Sequence, residues 1–518
     1  MSDKDTYYYS NGKRIPLDKA EGVVAVKEKA ENEFAVSRER IATGYQPILS
    51  IPYYGIHVIQ KEDTERFLEA NASETTEYQN LPVFKQSADQ FMVATTEFFA
   101  KFQPDVTLQQ IEEMNERFGV RIVEELSYGE RSYKLEIIQG KNTLGVVATA
   151  NAYFESGQTV YAQPNFIKKK QFRKDPTIEP GSSSQTAVIE RGDNYLSAQW
   201  HLHNIQVIEA WNLTKGAGTT IAIIDDGVEE VHPEFKHKIV SQYNFTDMTN
   251  NGNPKTDSDR HGTAVAGVAA AQGVKAYGSA PECKIIAIRM PDFLGSDREA
   301  DMFKWAADQG ADVINCSWGP PDGLGSLDPL PDPVREAIHY AIEKGRGGRG
   351  VIVCWAAGNG NESVSLDGYA SNPEVIAVAA CTDQDQKADY SDFGKEIWIT
   401  APSNGGVRGI VTTDRLGRLG YNKNNSASEV SDNNYTNQFG GTSSASPLVA
   451  GVACLMLSVN PNLSWKQVME IMAKTADKIG DSSSYSDSPL GPHSETFGYG
   501  RINALKAVQE AKRMGAHL

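Results

Sequence analysis

The sequence predicts an α/β fold, a parallel sheet flanked by helices, preceded by a smaller α+β domain of ferredoxin-like βαββαβ order. Three observations carry this. Over residues 193–511, β-branched runs alternate with small-residue helical stretches, the pattern of parallel strands joined by crossover helices. Ahead of them, residues 1–166 hold short alternating segments around one strongly signed helix. Between the two, residues 167–192 mix a basic cluster with Pro, Gly and Ser and show no hydrophobic period, which marks an exposed linker.

In chain order, the first well-signed element is a helix opened by Thr107 and Gln110, whose spacing forms a capping box. Leu108, Ile111, Met114 and Phe118 share its apolar face, and Gly119 supplies the left-handed stop. Residues 121–126 and 133–138 alternate as half-buried strands do, and residues 159–166 can close a small sheet. In the larger domain, strand-like 221–224 precedes helical 261–271, and strand-like 284–288 precedes helical 299–309. Residues 439–465 carry no charge, but their apolar part, 448–459, is too short and too rich in small residues to cross a bilayer. It reads as a buried helix.

A chain of 518 residues accommodates two or three domains, at least one with a full core. Its 40% hydrophobic and 23% charged residues match soluble globular proteins. The net charge of -17 argues against a nucleic-acid role and suits cationic partners, basic peptides or metal ions, though acidity also simply keeps a protein soluble. The N-terminal stretch MSDKDTYYYSNGKRIPLDK lacks the apolar segment of a secretory signal. The five cysteines, Cys283, Cys316, Cys354, Cys381 and Cys454, are odd in number and lie in or beside apolar runs, without C-x-x-C spacing. Free core thiols in a reducing, cytoplasmic setting, with no membrane partner, are the expectation.

Ligands of open parallel sheets gather beyond the carboxyl ends of the strands, so polar residues there are the candidates for chemistry. Asp225 ends the buried run IAIID, where a carboxylate is costly unless a donor or cation receives it. His261 opens the small-residue helix HGTAVAGVAAA. Ser443 follows the turn Gly440, Gly441 and Thr442 at the start of an apolar helix, where free amides and the helix field favour an oxyanion. Asn359 lies in the Gly-rich turn AAGNGN, its amide suited to developing negative charge. Singly, each has an ordinary role: a loop carboxylate, a structural histidine, a helix cap, a turn former. The set is what argues for chemistry.

The motifs IIDDG, HGTAVAG, AAGNG and GTSSASP resemble those of subtilisin-like serine proteases over residues 193–511. The resemblance implies that Ser443 is the nucleophile, His261 the base and then the acid, and Asp225 its orienting partner. Asn359 and the backbone N–H of Ser443 would hold the oxyanion. Asp226 and the segment CSWGPPDG bring the chain closer to the kexin and furin branch, which cuts after basic residues. By that likeness Ser317, Trp318 and Gly319 pair with the substrate strand, Asp322 and Asp367 form an acidic pocket, and Asp226 favours a second basic residue. The chain departs from furin at Ser258, where furin has an acid and Asp259 stands beside it, and in a shorter turn between Asn359 and Asp367. The likeness stops near residue 511, where kexin-like enzymes continue into a β-rich domain.

The same resemblance implies calcium, in two sites. One would use Asp193, Glu234 and backbone carbonyls of the loop 271–276; the other Asp322, Glu362 and Asp392. It further implies that residues 1–166 form a propeptide that inhibits the protease and is removed by self-processing. The cluster Lys168, Lys169, Lys170, Arg173 and Lys174 would supply the cut, preferably after Arg173 with Lys170 three residues upstream; a solvated charge run, or a basic patch contacting the acidic protease domain, is the alternative. The resemblance thus implies a calcium-dependent serine endopeptidase that acts on protein or peptide substrates and cuts after Arg or Lys; a broad-specificity protease and a peptide-binding protein without turnover are the alternatives.

Overall fold

The computed structural model describes residues 6–29, 46–71, 77–87, 90–173, 194–423 and 429–515. Asp193 and Lys174 lie outside the described residues. The chain divides into two compact units, one comprising Met1–Lys169 with Asp292–Asp301 and Pro331–Ala337, the other Lys170–Pro291, Met302–Leu330 and Ile338–Leu518.

In the first unit the strands Val120–Glu125, Ser132–Ile137, Gln90–Phe102 and Thr159–Lys169 lie side by side in that order. The helices Leu108–Phe118 and Val146–Glu155 complete the βαββαβ order. Thr107 and Gln110 make both bonds of the expected capping box, and Gly119 stops the helix at a φ of 62°. Ile111 and Met114 are buried, whereas Leu108 is 64% exposed, so the apolar face is one residue narrower than its pattern suggests. The strand Val120–Glu125 is an edge strand with only its first residue buried, so its alternation faces solvent. A second sheet, Leu49–Ile51, Ile56–Gln60, Val23–Lys29 and Glu77–Leu81, has its own small core around Ala25, Ile56 and Val58.

The second unit is built on seven parallel strands in the order Ile239–Asn244, Lys284–Arg289, Thr220–Asp225, Val313–Cys316, Ile352–Ala356, Ile376–Cys381 and Ile399–Pro402. Apart from the edge strand Ile239–Asn244, their near-continuous burial is what a parallel sheet covered on both faces requires. The helices His261–Ala270 and Thr442–Val459 belong to the central core, and their backbones approach closely at Gly451, where a Cβ would stand 3.0 Å from the Ala269 carbonyl oxygen. The helix Thr442–Val459 is long and apolar enough to span a bilayer, but 89% of it is buried within the fold. All five cysteines are free and buried.

Residues 167–173 are not an exposed linker. Ile167, Lys168, Lys170 and Arg173 are all buried, Ile167 and Lys168 in the strand Thr159–Lys169, Arg173 beyond the short strand Gln171–Phe172. A run of cations reads as solvated in sequence; here long-range strand pairing and acidic or aromatic partners receive it.

Candidate active site

Four chain segments converge at the carboxyl end of the central sheet. Asp225 is the last residue of the strand Thr220–Asp225, and His261 is the first of the helix His261–Ala270. The His261 Nδ1 lies 2.8 and 3.0 Å from the two Asp225 oxygens, with both side chains fully buried. A carboxylate there fixes the ring and favours a proton on Nδ1, leaving Nε2 to act as a base. Among the described residues nothing hydrogen-bonds His261 Nε2.

Ser443, second residue of the helix Thr442–Val459, donates its hydroxyl to the carbonyl oxygen of Arg173 at 2.6 Å. The Asn359 amide donates to the same oxygen at 2.7 Å. Its orientation is set by Thr442, whose backbone N–H and hydroxyl both donate to Asn359 Oδ1 at 2.9 Å and so turn the amide nitrogen toward Arg173. In the sequence Thr442 is only part of the turn before Ser443, and its role in orienting Asn359 is not legible there. Gly441 has a φ of 70°, and a Cβ there would come within 2.5 Å of the Arg173 carbonyl oxygen, so only glycine leaves room for that group.

Residues 171–173 lie along the edge Ser317–Gly319 as an added antiparallel strand, Gln171 opposite Gly319 and Phe172 opposite Trp318. The Arg173 N–H donates to the Ser317 carbonyl at 3.0 Å. Ser317, Trp318 and Gly319, the residues assigned to substrate pairing, here pair with residues 171–173 of the same chain. The Arg173 side chain is fully buried and its guanidinium pairs with Asp322 and Asp367. Gly319 forms the wall beside it, where a Cβ would collide with the guanidinium. Burial pushes the Asp367 carboxyl up, an effect that Arg173 opposes. Lys170 is buried too, its ammonium bonded to the Tyr369 hydroxyl, 4.3 Å from the Tyr369 ring centre and 5.8 Å from that of Trp318. Tyr369 has no motif of its own, and nothing local in the sequence singles it out.

Asp226 does not stand open for a second basic side chain. Its carboxylate accepts the backbone N–H groups of Arg260 and His261 at 2.9 Å and of Gly262 at 2.6 Å, and it is 3% exposed. Asp226 therefore caps the helix that carries His261. Burial and the adjacent Asp225 push its carboxyl up to about 7. Asp259 is engaged as well, by the Arg289 guanidinium at 2.6 Å and by Thr256.

The two expected metal sets differ. Asp322, Glu362 and Asp392 bring carboxylate oxygens within 4.8 Å of one another, a hard oxygen set that fits a divalent cation. Burial pushes Asp392 up to about 6, with the charges of Glu362 and Asp367 adding to the effect. Glu234 does not fit. Its oxygens accept the backbone N–H groups of Gly273, Val274, Lys275 and Ala276 at 2.6–2.9 Å and the Tyr435 hydroxyl at 3.0 Å. The loop 271–276 turns its N–H groups, not its carbonyls, toward this carboxylate, so a cation would meet donors where it needs acceptors.

Comparison with known proteins gives the family and the fold. The family model described as "Subtilase family" matches residues 216–500. A protein of Trichormus variabilis named "Calcium-dependent protease" is 42% identical over 82% of this chain and 64% of its own length. The protein of Saccharomyces cerevisiae named "Kexin" is 28% identical over 75% of this chain and 47% of its own length. The chain thus spans under two thirds of these relatives. Among solved structures, fervidolysin from Fervidobacterium pennivorans superposes with a TM-score of 0.61 at 23% identity, covering 82% of this chain and 62% of that one.

Proposed function

Since the chain belongs to the subtilase family, we propose that it is a serine endopeptidase that cuts after Arg or Lys, is braced by calcium, and is made as a self-processing zymogen. The observation that carries the reading is Arg173: its carbonyl oxygen faces Ser443 and Asn359 while its guanidinium pairs with Asp322 and Asp367. A peptide lying in this way presents the bond between residues 173 and 174 for attack.

The chemistry follows from the side chains. His261 Nε2 takes the Ser443 proton as the oxygen adds to the Arg173 carbonyl carbon, and Asp225 stabilises the imidazolium. Asn359 and the backbone N–H of Ser443 receive the oxyanion. Collapse breaks the C–N bond, His261 returning the proton to the amine of Lys174, and water then releases Arg173 by the reverse sequence. Asp322 and Asp367 select a guanidinium or ammonium, since a neutral side chain would leave two carboxylates in the pocket without a counter-charge. This favours basic over broad specificity. Calcium held by Asp322, Glu362 and Asp392 would supply charge neutralisation to the loop that forms the pocket. Residues 1–166, ending in the strand that leads to Arg173, serve as the inhibitory propeptide.

The test is the fate of the full-length chain with calcium. Wild type should shorten to a new N-terminus at Lys174 and cleave Arg and Lys peptides at least tenfold faster than Leu or Phe ones. Ser443→Ala should stay intact and inert, losing on the order of 10⁴-fold or more in rate. Processing by the Ser443→Ala protein, or equal cleavage after Leu, would overturn the reading.

A further inference from the structure

We infer that the pocket for the residue preceding the basic one selects an aromatic or large apolar side chain and disfavours a second cation, so that the preferred substrate reads aromatic-Arg. This rests on the endopeptidase reading above and deepens it. Phe172, the residue before Arg173, is 7% exposed, and its ring lies over the His261 imidazole with centres 5.3 Å apart and planes tilted by 34°. The far side of the environment is aromatic as well. His261 meets Phe439 edge-on at 5.6 Å, and Phe439 meets Tyr421 at 5.8 Å. The Arg260 guanidinium covers Tyr421, 4.5 Å from its ring centre.

Charge points the same way. A basic side chain needs a carboxylate with free lone pairs, and the acids around this wall are committed, Asp414 among them, which accepts the backbone N–H groups of Arg415 and Asn422. Asp226 caps the helix N-terminus through three backbone N–H groups, and Asp259 holds Arg289. Arg260 adds a positive charge beside the aromatic wall, which raises the cost of bringing in a second cation. A flat apolar ring instead removes its own surface from water against the imidazole, and it shields the His261–Asp225 pair from solvent. The residue that gives the pocket its apolar character is thus His261 itself, with Phe439 behind it, and the residue that gives it its charge bias is Arg260.

Wild-type protein is assayed with calcium on peptides Lys-Gln-X-Arg bearing a chromogenic leaving group, with X as Phe, Tyr, Leu, Ala, Lys or Arg. Phe and Tyr should exceed Lys and Arg by at least tenfold in kcat/KM. In the full-length chain, Phe172→Tyr should process at the wild-type rate and Phe172→Lys at least tenfold more slowly. Lys or Arg at X equal to or better than Phe overturns the inference while leaving cleavage after Arg intact. No cleavage at any X overturns the endopeptidase reading, and the inference with it.

Discussion

Glu234 and the trio Asp322, Glu362 and Asp392 sit in two loop regions of the second unit that differ in what faces the negative charge. One carboxylate, Glu234, receives four backbone N–H groups and one hydroxyl. The trio receives five backbone N–H groups in all, from Asn359 to Asp322, from Gly323 and Gly325 to Glu362, and from Gly360 and Glu362 to Asp392. Five neutral donors thus serve one carboxylate in the first region and three in the second, where Asp322 also pairs with the Arg173 guanidinium. Neutral dipoles saturate Glu234, whereas the trio keeps lone pairs and mutual repulsion that a divalent cation relieves. Acidic residues in loops do not define a cation site; the ratio of carboxylates to fixed donors does.

The largest effect that sharpens this contrast is Glu234→Ala. It strips the acceptor from four backbone N–H groups, three of them in a half-exposed loop that water can partly reach. With about 1–3 kcal/mol for each buried donor left unpaired, and allowance for that water, the loss is about 4 kcal/mol. In a unit of this size that lowers Tm by roughly 6 °C. Melting in the Ser443→Ala background, with and without calcium, checks it. Calcium should not restore the loss; full rescue by calcium would erase the distinction between the two regions.

Asp392→Asn comes next. Calcium at a hundredfold excess over its Kd stabilises the folded state by about 2.7 kcal/mol, and this increment should vanish with the charge. Without calcium the variant should match or slightly exceed wild type, because burial already disfavours the Asp392 anion. Titration of Tm against calcium reads both. An undiminished response in Asp392→Asn would place the cation elsewhere.

What was legible in the sequence follows the same division between local and distant causes. Asp225 at a strand end, His261 and Ser443 at helix starts and Asn359 in a glycine turn each need a special local backbone, and local backbone leaves its mark in neighbouring residues. The Thr107–Gln110 box is legible for that reason too. The four-stranded sheet of the first unit was not, because its pairs join Val23–Lys29 to segments up to some fifty residues away. The burial of Lys170 and Arg173 depends on pairing with Ser317–Gly319, nearly a hundred and fifty residues on. Asp226 and Glu234 were identified as functional acids, but which N–H groups meet them is a property of the assembled loops, and that decides what the acids can do.

The smallest effect is Tyr435→Phe, and it bears most directly on the donor count. The Tyr435 hydroxyl gives Glu234 its fifth donor, at 3.0 Å, while the ring packs edge-on against Tyr195 and His232 at 5.3 Å each. Phenylalanine keeps those ring contacts and removes one hydrogen bond to a charged group, so the loss should be about 1–2 kcal/mol, clearly less than for Glu234→Ala. Four backbone donors remain and still exclude a cation, so Tm should stay insensitive to calcium through this site, which the Asp392→Asn background isolates. If Tyr435→Phe in that background acquires a calcium-dependent rise in Tm, one freed lone pair was enough to admit the ion, and the two regions differ by a single hydroxyl instead of by the direction in which the loop 271–276 turns its backbone.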